Sequence, residues 1–562
     1  MPKLTSTGIA HPRIRRIKRY VQVVRILAKY GFGQLLDDAR LWEKANIERR
    51  ILRRHPTEFA HLTRAERVHL AFEELGPTFI KIGQFLSTRP DLVPQDFIPE
   101  LEKLQSDVAT IPSDLIKAVI CSELGRPVEE IFASFDDEPL AAASLSQVHR
   151  ATLKTGETVA VKVQRPNVAA LVAVDLEIMR SISDSMERHL ERARMVNLSG
   201  LFREFSVNIR KELNFKTEAN HLRRFARNFA EDTTVHIPTT YPELCTRRVL
   251  VMEYIQGINI SKTDELVRQG YDLKLIAKRG VDVALKSAFE HGFFHADPHP
   301  GNIFVLPGNI ICLLDFGMMG VLSARDRDSL AKLVAHIADL DEKAIMRAVL
   351  DLSESKGAVR EAELELALSS LVQEYATLPL REWSLGDFLR ELMGITRAHH
   401  LRFRSHLVWL LKAIATIEDV AHRLEPDFDI VSSVAPHARR LLRRRYSPLR
   451  QFREFRSTMI DLIDLAKDLP GETRAILRQM KEGQIKIQFE HVGLDSMRKT
   501  IDRASNRLSI AMILSALIIG SSIIVLSKVP PMVSDISAIG IVGYLIAGVL
   551  GLWLVISIHR SG

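Results

Sequence analysis

Two kinds of hydrophobic periodicity divide the chain. A helical period of apolar positions runs from about Arg64 to Gly76, from Pro77 to Ser87, from Val174 to Arg194 and from Phe202 to Asn220. It returns from Leu275 to Gly292 and from Ala324 to Ala338, and residues 324 to about 445 read as several helices with polar turns. Between these lie short strand-like runs. Arg150-Ala-Thr-Leu-Lys154, a turn at Thr155-Gly-Glu157 and Thr158-Val-Ala-Val-Lys-Val163 predict a hairpin, and Val249–Gly257 predicts a buried strand leaving into a turn. Ile303-Phe-Val-Leu306 and Ile310-Ile-Cys-Leu-Leu314, joined by Pro307-Gly-Asn309, predict a second hairpin, and Gln484–Glu490 alternates like a strand.

Two runs near the C-terminus have neither period. Leu508–Ser527 holds no charge over twenty positions and Ile536–Ile558 none over twenty-three, each reaching the roughly 20 residues that span a hydrocarbon core. Val529–Asp535 between them is a short turn, so the pair predicts a transmembrane helical hairpin. Arg498, Lys499, Arg503 and Arg507 flank the first run and His559-Arg560 follows the second, whereas the turn offers Lys528 offset by Asp535. The positive-inside bias places both ends on the cytoplasmic side. Gly543, Ala547 and Gly551, four apart, form a small-residue face for helix contact, within the hairpin or in a homodimer.

Charge sharpens this picture. The net charge is +8, with Arg concentrated in the first sixty residues. No RNA- or DNA-binding module is visible, so an anionic membrane surface is the expected partner rather than nucleic acid. His11–Arg19 runs into Tyr20–Ala28 as a basic amphipathic helix, suited either to lipid headgroups or to a solvated face packed on the protein. Residues 1–20 carry no signal-peptide core. Cys121, Cys245 and Cys312 are scattered and odd in number, which predicts reduced thiols and no disulfide framework.

The chemistry concentrates in His295-Ala-Asp-Pro-His-Pro-Gly-Asn302 and Asp315-Phe-Gly317. Asp297 and Asn302 stand five apart, as in the kinase loop H-R-D-x-x-x-x-N, where the Asp faces the acceptor and the Asn holds magnesium. The predicted hairpin between the motifs delivers Asn302 and Asp315 to one end, where two oxygen ligands can share a hard cation. A transition-metal site at His295, Asp297 and His299 is the weaker alternative, because it leaves Asn302 and Asp315 without a role. Val159-Ala-Val-Lys162 resembles the V-A-I-K strand of kinases.

Thr78-Phe-Ile-Lys81-Ile-Gly83-Gln84, then Arg89-Pro-Asp-Leu-Val-Pro94 and Leu101–Asp107, resemble the K-x-G-Q signature and continuation of the UbiB family of atypical kinase-like proteins, also called AarF/ADCK. That resemblance implies that Lys81, with Gly83 and Gln84, belongs to an N-terminal extension that reaches the nucleotide site and regulates it. It also identifies Leu140-Ala141-Ala142-Ala143-Ser144-Leu145-Ser146-Gln147 as the family's alanine-rich loop in place of the glycine-rich one, touching ATP phosphates. The family usually has Gly near the position of Ser146. Glu212 and Glu218 match family positions on the Phe202–Asn220 helix; Glu212 is expected to pair with Lys162, and Glu218 to support the extension. Glu253 and Ile255 resemble a hinge whose backbone meets adenine. After Gly317 no Ala-Pro-Glu triplet follows, so the peptide-binding segment of a protein kinase is missing.

The resemblance therefore implies an α+β, protein-kinase-like two-lobed fold with a helical N-terminal extension and a C-terminal transmembrane hairpin. The expected divisions are residues 1–60 (basic amphipathic region), 61–127 (extension), 128–257 (N-lobe), 258–445 (C-lobe), 446–507 (linker) and 508–558 (membrane helices). The implied activity is that of an ATP- and Mg2+-using kinase or ATPase, with Asp297 and Lys162 catalytic and Asn302 and Asp315 holding the metal. The implied role is biosynthesis of ubiquinone or a related isoprenoid quinone, near membrane lipids, quinone precursors and other enzymes of that synthesis. A kinase for a protein or small molecule, and a non-catalytic nucleotide-binding scaffold, are the alternatives.

Overall fold

A computed structural model describes residues 12–41, 59, 61–89, 93–104, 109–355, 360–377, 384–430, 432–434, 436–437, 440, 494–527, 529–533 and 536–559. The strand expected at Gln484–Glu490 and most of the linker lie outside them. The chain divides into two units, Met1–Phe452 and Arg453–Gly562.

The first unit opens with helices α1 (Pro12–Lys29), α2 (Arg64–Leu75), α3 (Pro77–Ser87) and α4 (Ser113–Leu124). Thr63 and Glu66 close a capping box at the start of α2, and Pro77 occupies the first turn of α3, where its missing N–H removes no helical bond. Strands β1 (Phe132–Ala142), β2 (Ser146–Leu153) and β3 (Thr158–Gln164) follow, then helices α5 (Val168–His189), α6 (Leu198–Glu212) and α7 (Phe215–Asn228). Next come β4 (Val235–His236), β5 (Val249–Glu253), β6 (Ile258–Asn259), α8 (Leu273–Leu285), β7 (Phe293–His295), β8 (Ile303–Leu306), β9 (Ile310–Leu313) and β10 (Met319–Val321). The unit continues through α9 (Ala324–Ala338), α10 (Glu342–Leu352), α11 (Glu361–Ala376), α12 (Leu385–Ala398) and α13 (Ser405–Leu424).

This is the expected α+β kinase-like architecture. One sheet has the order β1-β2-β3-β5 and the other β4-β9-β8-β6. Three apolar clusters hold them. The first sheet packs against α4 through Ile116, Ile120, Val159, Val161 and Val251. A larger core fills the C-lobe around Phe225, Phe293, Phe316 and Leu410. The third joins α1, α3, α5 and α6, with Val24, Phe79, Phe85, Phe205 and Ile209 at its centre.

Helix α1 settles on the protein rather than standing apart. Val23 and Val24 are fully buried, while Ile14 and Ile17 remain exposed. Arg19 turns inward and donates to both carboxylate oxygens of the fully buried Asp175 on α5, at 2.7 and 3.0 Å. Thr78 of α3 donates to the same carboxylate at 2.6 Å, so one charge fastens the extension to α5 from two helices. Removing it strands a largely buried guanidinium. Asp175→Ala is expected to cost about 3 kcal/mol, read as a lower denaturant midpoint at unchanged slope.

Two elements differ from the sequence reading. Residues 139–149 are mostly strand, because β1 pairs antiparallel with β2 and leaves a turn of only Ala143-Ser144-Leu145. The expected single helix Phe202–Asn220 is broken at Leu213 and Asn214, with Asn214 extended at φ −125°. Neighbouring chain satisfies the backbone exposed there: Gln164 donates to the Leu213 carbonyl at 3.1 Å, and Phe215 N–H to the Arg247 carbonyl at 3.1 Å.

In the second unit, α14 (Leu494–Leu526) and α15 (Ala538–His559) form a helical hairpin. Leu508–Leu526 is long and apolar enough to cross a membrane, and the second helix carries an apolar stretch over Ala538–Leu554. The small face lies inside the hairpin. A Cβ on Gly543 would collide with the Ser521 hydroxyl and one on Gly540 would crowd the Ser521 carbonyl at 3.2 Å, while Ala547 is buried.

Candidate active site

The β8–β9 hairpin builds the centre of the site. Its register pairs Ile303 with Leu313, and Leu314 N–H donates to the Asn302 carbonyl at 3.0 Å. Asn302 therefore stands one residue from Asp315 across the hairpin mouth. The segment after Asp315 returns at once: β10 pairs with β7, Met319 opposite His295, and Leu322 N–H reaches the Gly292 carbonyl at 2.9 Å. No room remains for a long substrate-binding segment before α9 begins.

His295 joins the two motifs. Its Nε2 faces the Asp315 carbonyl, which can only accept, and its Nδ1 lies 3.2 Å from the Asp297 N–H, which can only donate. These partners select the neutral tautomer protonated on Nε2. Burial lowers the imidazole's basicity and favours the same form. Both ring nitrogens are thus engaged, which removes His295 as a metal ligand. Among the described residues no group of three or more His, Cys, Asp or Glu could hold a metal ion. The transition-metal alternative fails on both counts.

Lys162 on β3 meets Glu218, not Glu212. Its ammonium donates to both Glu218 oxygens at 2.8 and 3.0 Å and lies 3.6 Å from Asp315. Glu212 pairs with Lys81 of α3 instead. The expected assignment of the two glutamates is therefore reversed, and the helix break explains it. On one continuous helix, residues six apart would point to different sides. The kink at Leu213–Asn214 lets both approach the site, Glu218 from α7 and Glu212 from the end of α6.

The charges reinforce one another. Burial opposes the Lys162 ammonium, but Asp315, Glu218 and Glu212 outweigh it and raise its pKa. Burial likewise works against an ionised Asp315; the Lys162 charge, the Gly317 N–H at 2.8 Å and Lys81 reverse this and hold the carboxyl at about 2. Phe316 is fully buried against Phe225 of α7, and His221 of α7 donates to its carbonyl at 2.9 Å. The Lys–Glu pair and the Asp-Phe-Gly motif are thus in place together, as phosphoryl transfer in kinases requires.

The remaining sequence candidates separate into several groups. Leu140, Ala141 and Ala142 end β1, and Ser144 in the turn carries a fully buried hydroxyl without a hydrogen-bond partner. Arg165 braces the turn, donating to the Ala143 carbonyl at 2.7 Å. Leu145 is buried in the apolar cluster of the extension, and the side chain of Gln147 is occupied by the Ile111 backbone, so neither side chain is available to a nucleotide. Ser146 is buried within β2. Glu253 gives its carboxylate to His236 at 3.0 Å and to the Thr239 N–H at 3.1 Å, which leaves only backbone for adenine. The Ile255 N–H makes no backbone hydrogen bond among the described residues.

In the extension only Lys81 reaches the centre. A Cβ on Gly83 would strike the Leu104 side chain, and Gln84 donates to the Leu104 carbonyl at 2.8 Å. These two residues pin the Leu101–Leu104 segment to α3. Just beyond α3, Arg89 pairs with Glu204 of α6 at 2.9 Å and donates to Ser405 of α13 at 3.1 Å.

A magnesium ion fits what is present. The Asn302 carboxamide makes no hydrogen bond among the described residues, and Asp315 uses Oδ1 on Gly317, keeping Oδ2 on the Lys162 side. Oxygen donors of this kind suit a hard cation that keeps most of its ligands as phosphate and water.

One residue at the site was missed from sequence. Lys412 of α13 lies 4.0 Å from Asp297. The signal was available, since Lys412 is the only charged residue between His406 and Glu418.

Three family models match the chain: an ABC1 atypical kinase-like domain over residues 103–349, a UbiB helical domain over 368–429, and an ABC1/UbiB kinase-like C-terminal domain over 492–560. A probable protein kinase UbiB from Pseudomonas putida is 36% identical over 84% of this chain and 88% of its own. A protein from the hydrogenase 1 5′ region of Clostridium pasteurianum, described as uncharacterized, is 33% identical over 97% of this chain and 99% of its own. The solved complex of Rv3197 with erythromycin from Mycobacterium tuberculosis aligns with 63% of this chain and 90% of its own at 22% identity and a TM-score of 0.46. Lys81, Lys162, Asp297, Asn302 and Asp315 thus stand in a chain that belongs to the UbiB family of atypical kinase-like proteins.

Proposed function

We propose that this protein is a membrane-anchored atypical kinase or ATPase that uses Mg-ATP to support biosynthesis of ubiquinone or a related isoprenoid quinone. The observation that carries the chemistry is Lys162, held by Glu218 beside Asp315 with the Asn302 carboxamide one residue away across the hairpin. Lys162 orients the α- and β-phosphates, and Glu218 keeps its ammonium in one position. Magnesium, when bound by Asn302 and Asp315, supplies charge neutralisation on the phosphates. Asp297 accepts the proton of the attacking hydroxyl or orients it, and His295 fixes the loop that carries Asp297.

The acceptor side favours a small nucleophile over a peptide. Helix α3 sends Lys81 to Glu212 beside the Lys162 site, and the chain returns to β7 directly after Asp315-Phe-Gly317. Water or the polar head of a lipid precursor fits this restriction. The apolar C-terminal helices support a location at the membrane, with the kinase-like part on the cytoplasmic side by the positive-inside bias. Lipids, quinone precursors and other enzymes of quinone synthesis are the proposed partners. Any homodimer would use a face other than the small-residue one, which the hairpin itself covers.

The quinone role is tested in cells. A deletion strain is expected to lose most of its quinone, as measured by chromatography of lipid extracts, and to recover it when the full chain is supplied. Unchanged quinone in the deletion strain would remove the role.

A further inference from the structure

We infer that Lys412 is a catalytic residue of the site: the ammonium that binds the transferring phosphoryl group on the Asp297 side. This rests on the reading of the site as one that uses ATP.

The catalytic loop itself brings no strong cation. Between Asp297 and Asn302 it offers only Pro298, His299, Pro300 and Gly301, and the His299 ring nitrogen Nδ1 accepts the Gly301 N–H at 3.2 Å. Lys162 is committed to Glu218 and Asp315, and Lys81 to Glu212. Phosphoryl transfer spreads negative charge over the oxygens of the moving group, and cations aimed at that charge give much of the rate. On the side of Asp297 that cation comes from α13.

Lys412 is placed for this and for little else. Its neighbours Leu410, Leu411 and Ala413 are buried, so the stem is packed while the side chain remains about a quarter exposed, at 27%. A lysine within an apolar helix carries a desolvation penalty and needs a partner of opposite charge. Asp297 is that partner, yet at 4.0 Å the pair is too long for a hydrogen bond. Among the described residues neither the Lys412 ammonium nor the Asp297 carboxylate makes a hydrogen bond. Two opposite charges that face each other without touching leave donors and acceptors for a third group between or beside them. The carboxylate suits the proton of the nucleophile; the ammonium suits a phosphoryl oxygen.

The helix is also held in register. Ser405, in its first turn, receives the Arg89 hydrogen bond at 3.1 Å, and Glu418 caps α12 by accepting from the Leu385 and Gly386 N–H groups at 2.7 and 2.6 Å. Lys412 lies between these two anchors.

In hydrolysis, the water oxygen forms the new P–O bond as the bond between the γ-phosphorus and the β–γ bridging oxygen breaks. The electron pair leaves with ADP, and the water proton passes to Asp297 and then to solvent. Lys412 binds a γ-oxygen throughout and exchanges no proton.

The test uses the full chain in detergent or lipid vesicles, with ATP turnover, nucleotide affinity and thermal midpoint measured for wild type, Lys412→Met, Lys412→Arg and Asp315→Asn. Lys412→Met is expected to lose about 10²- to 10³-fold in kcat, the loss typical of removing one transition-state donor. Nucleotide affinity and thermal midpoint should stay near wild type, and Lys412→Arg should recover a large part of the loss. Should Lys412→Met fail to fold, Lys412→Gln takes its place under the same criteria. A kcat within about threefold of wild type, or a loss confined to KM, overturns the inference while Asp315-dependent turnover persists. Equal losses in the Met and Arg variants, with a lowered thermal midpoint, would reduce Lys412 to a structural residue. No Asp315-dependent turnover in wild type overturns the ATP reading itself, and this inference with it.

Discussion

Asp315→Asn is expected to lower ATP turnover by about 10³-fold or more, some 4 kcal/mol of barrier, with the fold intact. The carboxylate sits at the hairpin mouth and is kept ionised down to about pH 2 by Lys162, Gly317 N–H and Lys81 against its burial. Asparagine has the same shape, and its amide oxygen can still accept the Gly317 N–H. What it lacks is the charge that faces Lys162 at 3.6 Å and that would share a cation with Asn302. The loss should therefore fall on kcat and on magnesium dependence, with little change in the thermal midpoint. Turnover within tenfold of wild type at saturating magnesium would sink the metal assignment.

Glu218→Gln should unfold the protein more readily and stop turnover, while Glu212→Gln should do neither to the same degree. Glu218 is 5% exposed and Lys162 14%, so removing the glutamate leaves the buried ammonium to Asp315 at 3.6 Å, at a cost of about 3 kcal/mol. The ring of Phe215, 5.5 Å from the ammonium, offers only a weak substitute. Glu212 and Lys81 are more exposed, at 26% and 21%, and breaking them leaves the Arg89–Glu204 pair in place. A loss of about 1 kcal/mol is expected there, with turnover retained to within about tenfold. Denaturant unfolding and ATP turnover of the two variants decide the matter. If Glu212→Gln were the more damaging in both, the pairing described here would be wrong.

Much of the site was legible because kinase chemistry leaves short, spaced signatures. Asp297, Asn302 and Asp315 are tied by a hairpin whose turn residues, Pro307-Gly-Asn309, announce themselves, and β8 and β9 follow the expected ranges within a residue. Lys162 sits on a strand with a plain Val-Ala-Val pattern. The glutamate partner could not be read the same way. Helical periodicity continues through Leu213 and Asn214, so the break that turns Glu218 inward depends on the Gln164 side chain of distant β3 and the Arg247 carbonyl. Strand β1 was hidden for another reason: Asp136, Asp137 and Glu138 face solvent on an edge strand, and an exposed edge carries no alternating apolar code. Lys412 lay 115 positions beyond Asp297, outside any motif, and only the third dimension brings it to the loop.

The two ion pairs that tie α3 and the residue just beyond it to α6 have a common measure. Lys81 and Arg89 stand eight residues apart, and so do Glu212 and Glu204, in the opposite order. The two segments therefore run antiparallel, with Glu204 and Glu212 roughly 12 Å apart along α6. A slip of a single residue misaligns both pairs together, so no intermediate position keeps one while losing the other. The arrangement behaves as a vernier: it admits one setting or none. Lys81 is thereby held on the Glu212 side of the site by the same register that seats Arg89 on Glu204.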